Sequence, residues 1–162
     1  MQLPYDLDLT ASREPIILLA PDGTEVSRAF THGAEIPAAI ALFKTGNGPI
    51  PVLKQDGSVV SSTNMVSPGD TIRLFVVGLG ATNPGIQAGV LPDPSAPVSP
   101  VGSTQVEVGG KVATVLRQAL NPNWIGVTDL DIQVPKLASG LQLLGLQTGP
   151  ERVYMIPIWV TN

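Results

Sequence analysis

Residues 105–116 read Gln-Val-Glu-Val-Gly-Gly-Lys-Val-Ala-Thr-Val-Leu, and this stretch decides the fold class. Val106 and Val108 alternate with Gln105 and Glu107, and Ala113 and Val115 alternate with Val112, Thr114 and Leu116. A period of two puts successive side chains on opposite faces of a strand. Gly109-Gly110 between the runs suits a two-residue hairpin turn, which needs positive φ at both positions. A hairpin this plain predicts that the chain around it is built from strands.

The same grammar extends in both directions. Thr128 to Val134 places Leu130, Ile132 and Val134 inward. The turn Ser67-Pro68-Gly69-Asp70 leads into Thr71 to Val77, whose apolar far half suits a central strand. Asp56-Gly57 reads as a second two-residue turn joining Val52–Gln55 to Ser58–Ser61, and Pro21-Asp22-Gly23-Thr24 joins Ile16–Leu19 to Val26–Thr31. Leu141 to Leu146 and Val153 to Val160 complete the set, and Pro157, which cannot donate to a ladder, predicts that the last strand is an edge or carries a bulge. Ala34 to Lys44 is the one helix candidate, through Ile36, Ala39, Ile40 and Phe43, with an extended reading left open. About ten strands without intervening helices predict a β-sandwich and argue against a parallel α/β sheet. The proline-rich stretch Ala81 to Gly102 reads as a long loop, a place for function or for an excursion between sheets.

Composition agrees. The 162 residues include 17 Gly and 16 Pro, about a fifth of the chain, against an ordinary share of roughly an eighth. Hydrophobic residues make up 43% and aromatics only 4%, so the core is aliphatic. Net charge is −4, and no two of the nine basic residues are adjacent, which speaks against a nucleic-acid partner. The longest apolar runs are far shorter than the roughly 20 residues that span a bilayer, so no membrane insertion is expected. With no cysteine, thiol catalysis, thiolate metal sites and disulfides drop out together. The N-terminus carries no basic or apolar leader pattern, as expected of a mature chain or an excised fragment if the protein is exported.

From about residue 51 onward the chain resembles an uncharacterised family, the Solibacter-type C-terminal domain of large exported acidobacterial proteins. The likeness rests on Leu53-Lys54-Gln55-Asp56-Gly57-Ser58-Val59, Pro68-Gly69-Asp70-Thr71-Ile72 and Val77-Gly78-Leu79-Gly80. It continues through Asn83-Pro84, the stretch around Pro94 to Pro100, Val108 to Leu116 and Asp131-Ile132-Gln133-Val134-Pro135. The resemblance implies an immunoglobulin-like β-sandwich over residues 51–162, preceded by a β segment at 1–50 that packs on the sandwich or completes it. It also implies an extracellular or cell-surface setting. It brings no catalytic residues. The chain departs from the family pattern at Asn121 to Thr128 and at Met155 to Ile158.

Few residues carry candidate chemistry. Asp129 and Asp131 share one strand face, where they form a solvated surface, an acid and base pair, or hard oxygen ligands for calcium. Asp6 and Asp8 repeat the pattern. His32 is the only histidine, and no Gly-x-Ser-x-Gly elbow accompanies it. Gly78-Leu79-Gly80 lacks the third glycine and the helix of a dinucleotide site. Trp124, in the polar loop Asn121-Pro122-Asn123-Trp124, is the candidate for stacking on a glycan, and Trp159 reads as core.

No constellation here has two matched catalytic members, so the sequence predicts a non-catalytic structural or adhesive module that makes protein–protein contacts. Two alternatives stand beside it. One is a self-assembling filament subunit whose terminal strand, with Tyr5, Leu7 and Leu9 on one face, adds to a neighbour's sheet edge. The other is a carbohydrate-binding module using Trp124.

Overall fold

The computed structural model describes residues 13–32, 41–42, 52–87, 89–148 and 151–161. Among these residues the protein is all-β, with twelve strands and no helix. β1 (Arg13–Leu19) and β2 (Glu25–His32) form a hairpin of their own, with the lone histidine closing β2 opposite Arg13. β6 (Thr82–Asn83) and β7 (Ser99–Pro100) pair across the base of the proline-rich stretch, which is thereby a pinned excursion.

The remaining strands make one curled antiparallel sheet. They are β3 (Ala41–Leu42), β4 (Leu53–Lys54), β5 (Thr71–Val77), β8 (Thr104–Val108), β9 (Lys111–Leu120), β10 (Val127–Gln133), β11 (Gly140–Thr148) and β12 (Glu151–Val160). The order is β12-β11-β8-β9-β10-β5-β3, with β4 joining β5 at the other end of the edge that β3 covers. Ala41–Leu42 pairs with Val77 and Val76, so the C-terminal end of the candidate helix is extended. A strand edge there takes hydrogen bonds that helical spacing alone does not reveal. The rest of the candidate helix lies outside the described residues, as do Tyr5, Asp6, Leu7, Asp8 and Leu9.

The curl follows from β9. Its first residues pair with β8 (Val106 opposite Ala113), and from Thr114 onward it pairs with β10. One strand thus belongs to both halves of the sheet, and the halves enclose a single aliphatic core. Ile72, Leu74 and Val76 of β5, Leu130 and Ile132 of β10, Val106 and Val108 of β8, and Leu144 and Leu146 of β11 all point into it. Ile156, Ile158 and Val160 of β12 close it. Each such side chain, removed from water, contributes about 1.5–3 kcal/mol.

The turns follow two chemistries. Gly109 (φ +55°) and Gly110 (φ +75°) are both left-handed, as the two-residue hairpin requires. Asp56-Gly57 differs from its expected form. Gly57 N–H donates to the Lys54 carbonyl and Lys54 N–H to the Ser58 carbonyl. Gln55 and Asp56 are therefore the turn's central residues, and Gly57 (φ +82°) is the left-handed residue that follows. The turn at Pro21–Thr24 repeats this construction, with Gly23 N–H donating to Ala20 O and Ala20 N–H to Thr24 O. In both, the aspartate carboxylate accepts the backbone N–H two residues on, from Thr24 and Ser58, each at 2.9 Å.

β12 carries Pro157 without losing a ladder bond. Val66 N–H donates to the Trp159 carbonyl, so Trp159, and by alternation Pro157, directs its backbone away from β11. The missing N–H points at the sheet edge. A register shift opposite Leu144–Leu146 adds a bulge, so the last strand is both an edge and bulged.

Candidate functional site

The outer face of β9, β10 and β5 gathers three of the residues singled out in the sequence: Asp129, Asp131 and Trp124. Register explains why. Asp131 lies opposite Arg117 on β9 and Arg73 on β5, making a row Arg117–Asp131–Arg73 across three strands. Asp129 lies between Ala119 and Phe75 in the next outward row.

Arg117 reaches this face through a bulge. Between Asp131 and Ile132 on β10, the facing strand skips Leu116. Ala113 and Val115 point inward, so uninterrupted alternation would carry Arg117 into the core. The extra residue reverses the parity, which is what β-bulges do when they re-aim a side chain. Leu116, the inserted residue, is exposed.

The four charged groups form a lattice. Arg73 clasps Asp131 side-on, Nε to Oδ1 at 2.6 Å and Nη2 to Oδ2 at 2.9 Å. Its Nη1 is 3.7 Å from Asp129 Oδ2. Arg117 Nη1 donates to the same Asp129 oxygen at 3.4 Å and stands 4.0 Å from Asp131 Oδ2. These hydrogen bonds to Asp131, reinforced by both carboxylate charges against the cost of burial, raise the pKa of the Arg73 guanidinium. The arginine side chains stay about 40% exposed, whereas Asp129 is 4% exposed. The solvated carboxylate face is therefore corrected to a charge-balanced one in which Asp129 is buried. Buried carboxylates need such partners.

Asp129 also holds the aromatic part of the face. Asn121, itself buried, donates its amide to Asp129 Oδ1 at 2.7 Å. Its own side-chain oxygen accepts the backbone N–H of Asn123 at 2.8 Å and of Trp124 at 3.1 Å. The loop ends with Asn121 N–H donating to the Val127 carbonyl. Trp124 then lies edge-on to Phe75, ring centroids 5.2 Å apart at 71°, a favourable aromatic geometry. Phe75 is buried, and Trp124 as a residue remains 40% exposed.

As a metal centre the aspartate pair is already engaged: its oxygens face two guanidiniums and an amide. Among the described residues no three His, Cys, Asp or Glu side chains gather where they could hold a metal ion. A calcium ion takes six to eight oxygens and would have to displace both arginines. A cleft of about 160 Å³ opens beside Arg73 and Asp131, lined also by Lys54, Gln55 and Thr71. That is well below the roughly 300 Å³ at which small-molecule pockets begin. The arrangement suits contact across a surface.

Trp159, expected in the core, is half-buried on the other outward face. It pairs with exposed Leu141, while its neighbours Ile158 and Val160 take the core positions. The arginines were the residues that sequence reasoning missed. Arg73 was findable, as the charged residue between Ile72 and Leu74 in an alternating strand. Arg117 left a fainter mark: a charged residue on the inward parity of Ala113 and Val115, which signals that the alternation breaks but not where.

No known protein family, curated protein or solved structure matches the chain. Among the described residues no helix is long and apolar enough to cross a membrane.

Proposed function

We propose that the chain is a non-catalytic structural and adhesive module of a secreted or cell-surface bacterial protein. In this reading the curled sheet is an immunoglobulin-like sandwich over residues 51–162, of the Solibacter-type C-terminal family. The observation that carries the reading is the outer face of β5, β9 and β10. It combines a half-exposed indole fixed on Phe75 with a guanidinium–carboxylate lattice whose members hold one another in place. Prearranged side chains lose little entropy on contact, which favours binding over a flat surface.

Adhesion under flow tests this. Beads carrying the chain should be retained on an immobilised bacterial cell-envelope layer, and beads carrying Trp124→Ala together with Arg117→Ala should wash off. Wild-type beads held no better than uncoated ones would refute the reading.

Filament assembly through Tyr5, Leu7 and Leu9 is a second reading, favoured by the position of β12 at the sheet edge. Pro157 limits that edge as an acceptor. Deleting residues 1–12 should abolish assembly in this reading, and filaments that survive the deletion end it.

A further inference from the structure

The chemistry of the outer face also names a partner class. We infer that the face around Trp124 and Arg117 binds an uncharged polysaccharide; this rests on the contact-module reading above and narrows it.

Three observations converge. First, Trp124 is a residue 40% exposed whose ring is packed edge-on against Phe75 and whose backbone is fixed by Asn121. A pyranose presents a face of C–H groups that packs on such a ring, burying apolar surface while its hydroxyls stay at the rim. Second, Arg73 and Arg117 are used unequally. Arg73 commits Nε and Nη2 to Asp131. Arg117 reaches the carboxylates through Nη1 alone, so among the described residues its Nε–Nη2 edge has no partner, and the side chain is 40% exposed. That edge is a two-donor fork beside the carboxylate acceptor of Asp131. Adjacent donors and acceptors are what neighbouring sugar hydroxyls, each both donor and acceptor, can satisfy together.

Third, charge selects the class. Two guanidiniums and two carboxylates cancel locally, and the chain as a whole carries −4. An acidic polymer would meet Asp129 and Asp131 behind the fork, and a nucleic acid would find no basic track. An apolar peptide would have to desolvate the lattice without satisfying it. A neutral glycan meets none of these costs. Trp124 and Arg117 both flank Asp129, through Asn121 and through the ion pair, so an extended chain of sugars can engage them together.

Native affinity electrophoresis decides it, with the intact chain run through gels holding hydroxyethylcellulose, galactomannan, dextran or polygalacturonate. At least one of the three neutral polymers should retard the wild type. Trp124→Ala should weaken that retardation roughly tenfold or more, Trp124→Tyr should keep most of it, and Arg117→Lys, which retains the charge but not the fork, should weaken it about fivefold. Thermal melts of each variant separate lost binding from lost folding. No retardation by any neutral polymer, retardation by polygalacturonate alone, or full retardation of a folded Trp124→Ala variant overturns the inference. Bead adhesion that persists without polymer binding refutes the sugar and leaves the contact face standing.

Discussion

Replacing Asp129 with alanine should be among the more damaging single changes outside the aliphatic core. The carboxylate is 4% exposed and serves Arg73, Arg117 and Asn121 at once. Breaking a fully buried ion pair from one side costs about 3–5 kcal/mol. Both arginines are about 40% exposed, so water recovers part of that loss. The buried Asn121 amide, left without its acceptor, adds about 1–2 kcal/mol. The expected loss is about 2–4 kcal/mol. Asp129→Asn keeps an acceptor for Asn121 and forfeits only the charge, so it should cost about 1–2 kcal/mol. Urea unfolding followed by circular dichroism measures both. With a slope of about 2 kcal/mol/M, the midpoint should fall by roughly 1–2 M for alanine and 0.5–1 M for asparagine. Equal losses, or a loss below about 1 kcal/mol for alanine, would refute the argument that Asp129 joins the lattice to the loop.

Further outcomes follow from other parts of the fold. Leu130→Ala, at a fully buried position of β10, should cost about 3–4 kcal/mol by the same unfolding assay, and a loss under 1 kcal/mol would contradict its place in the core. Gly110→Ala meets open space and bears only the left-handed backbone penalty, about 1–2 kcal/mol. Gly109→Ala would also drive its methyl into Gln142 and Leu137, so its melting temperature should fall further than that of Gly110→Ala. Asp22, Asp56 and Asp93 have pKa values below the usual carboxylate value of about 3.9, through hydrogen bonds from Thr24, Ser58 and Ser95. With the folded-state pKa depressed, their contribution is complete above the unfolded value of about 3.9 and is lost as pH falls from there through the folded pKa. Ser58→Ala should bring the Asp56 midpoint back up in a carboxyl ¹³C titration, and an unmoved midpoint would contradict the assigned cause. Pro157→Val restores an N–H to the outer edge of β12 and should increase self-association in sedimentation.

The parts of the fold that local rules govern were legible in the sequence. Alternation located β5, β8, β10 and the start of β9, and Gly109-Gly110 and Pro68-Gly69 marked their turns, because Gly69, Gly109 and Gly110 accept positive φ and Pro68 presets the negative φ before Gly69. Pro157 signalled an edge for the same kind of local reason. What escaped was set by pairing across the sheet. The short strand Ala41–Leu42 exists because β5 offers hydrogen bonds to it. The turn at Asp56-Gly57 shifted by one position because the ladder from Val52 to Val60 chose the longer loop. The candidate site was half visible: the Asp129–Asp131 pair and Trp124 stood out, yet their neighbourhood depends on Arg117, which one inserted residue turns outward.

That inserted residue offers the most direct test. Two chains should be compared by urea unfolding, one with Leu116 deleted and one with Thr114 deleted; both side chains are exposed. Without Leu116, β9 becomes a regular strand in which Val115 still points inward and Arg117 outward, so the protein should stay folded and lose no more than about 1–2 kcal/mol. Without Thr114, the parity between Ala113 and Val115 breaks and a core residue must turn to solvent, so folding should be lost or weakened by about 3 kcal/mol or more. Equal losses in the two deletions, or an unfolded chain without Leu116, would contradict the outward row of Arg117, Asp131 and Arg73 on which the contact face is built.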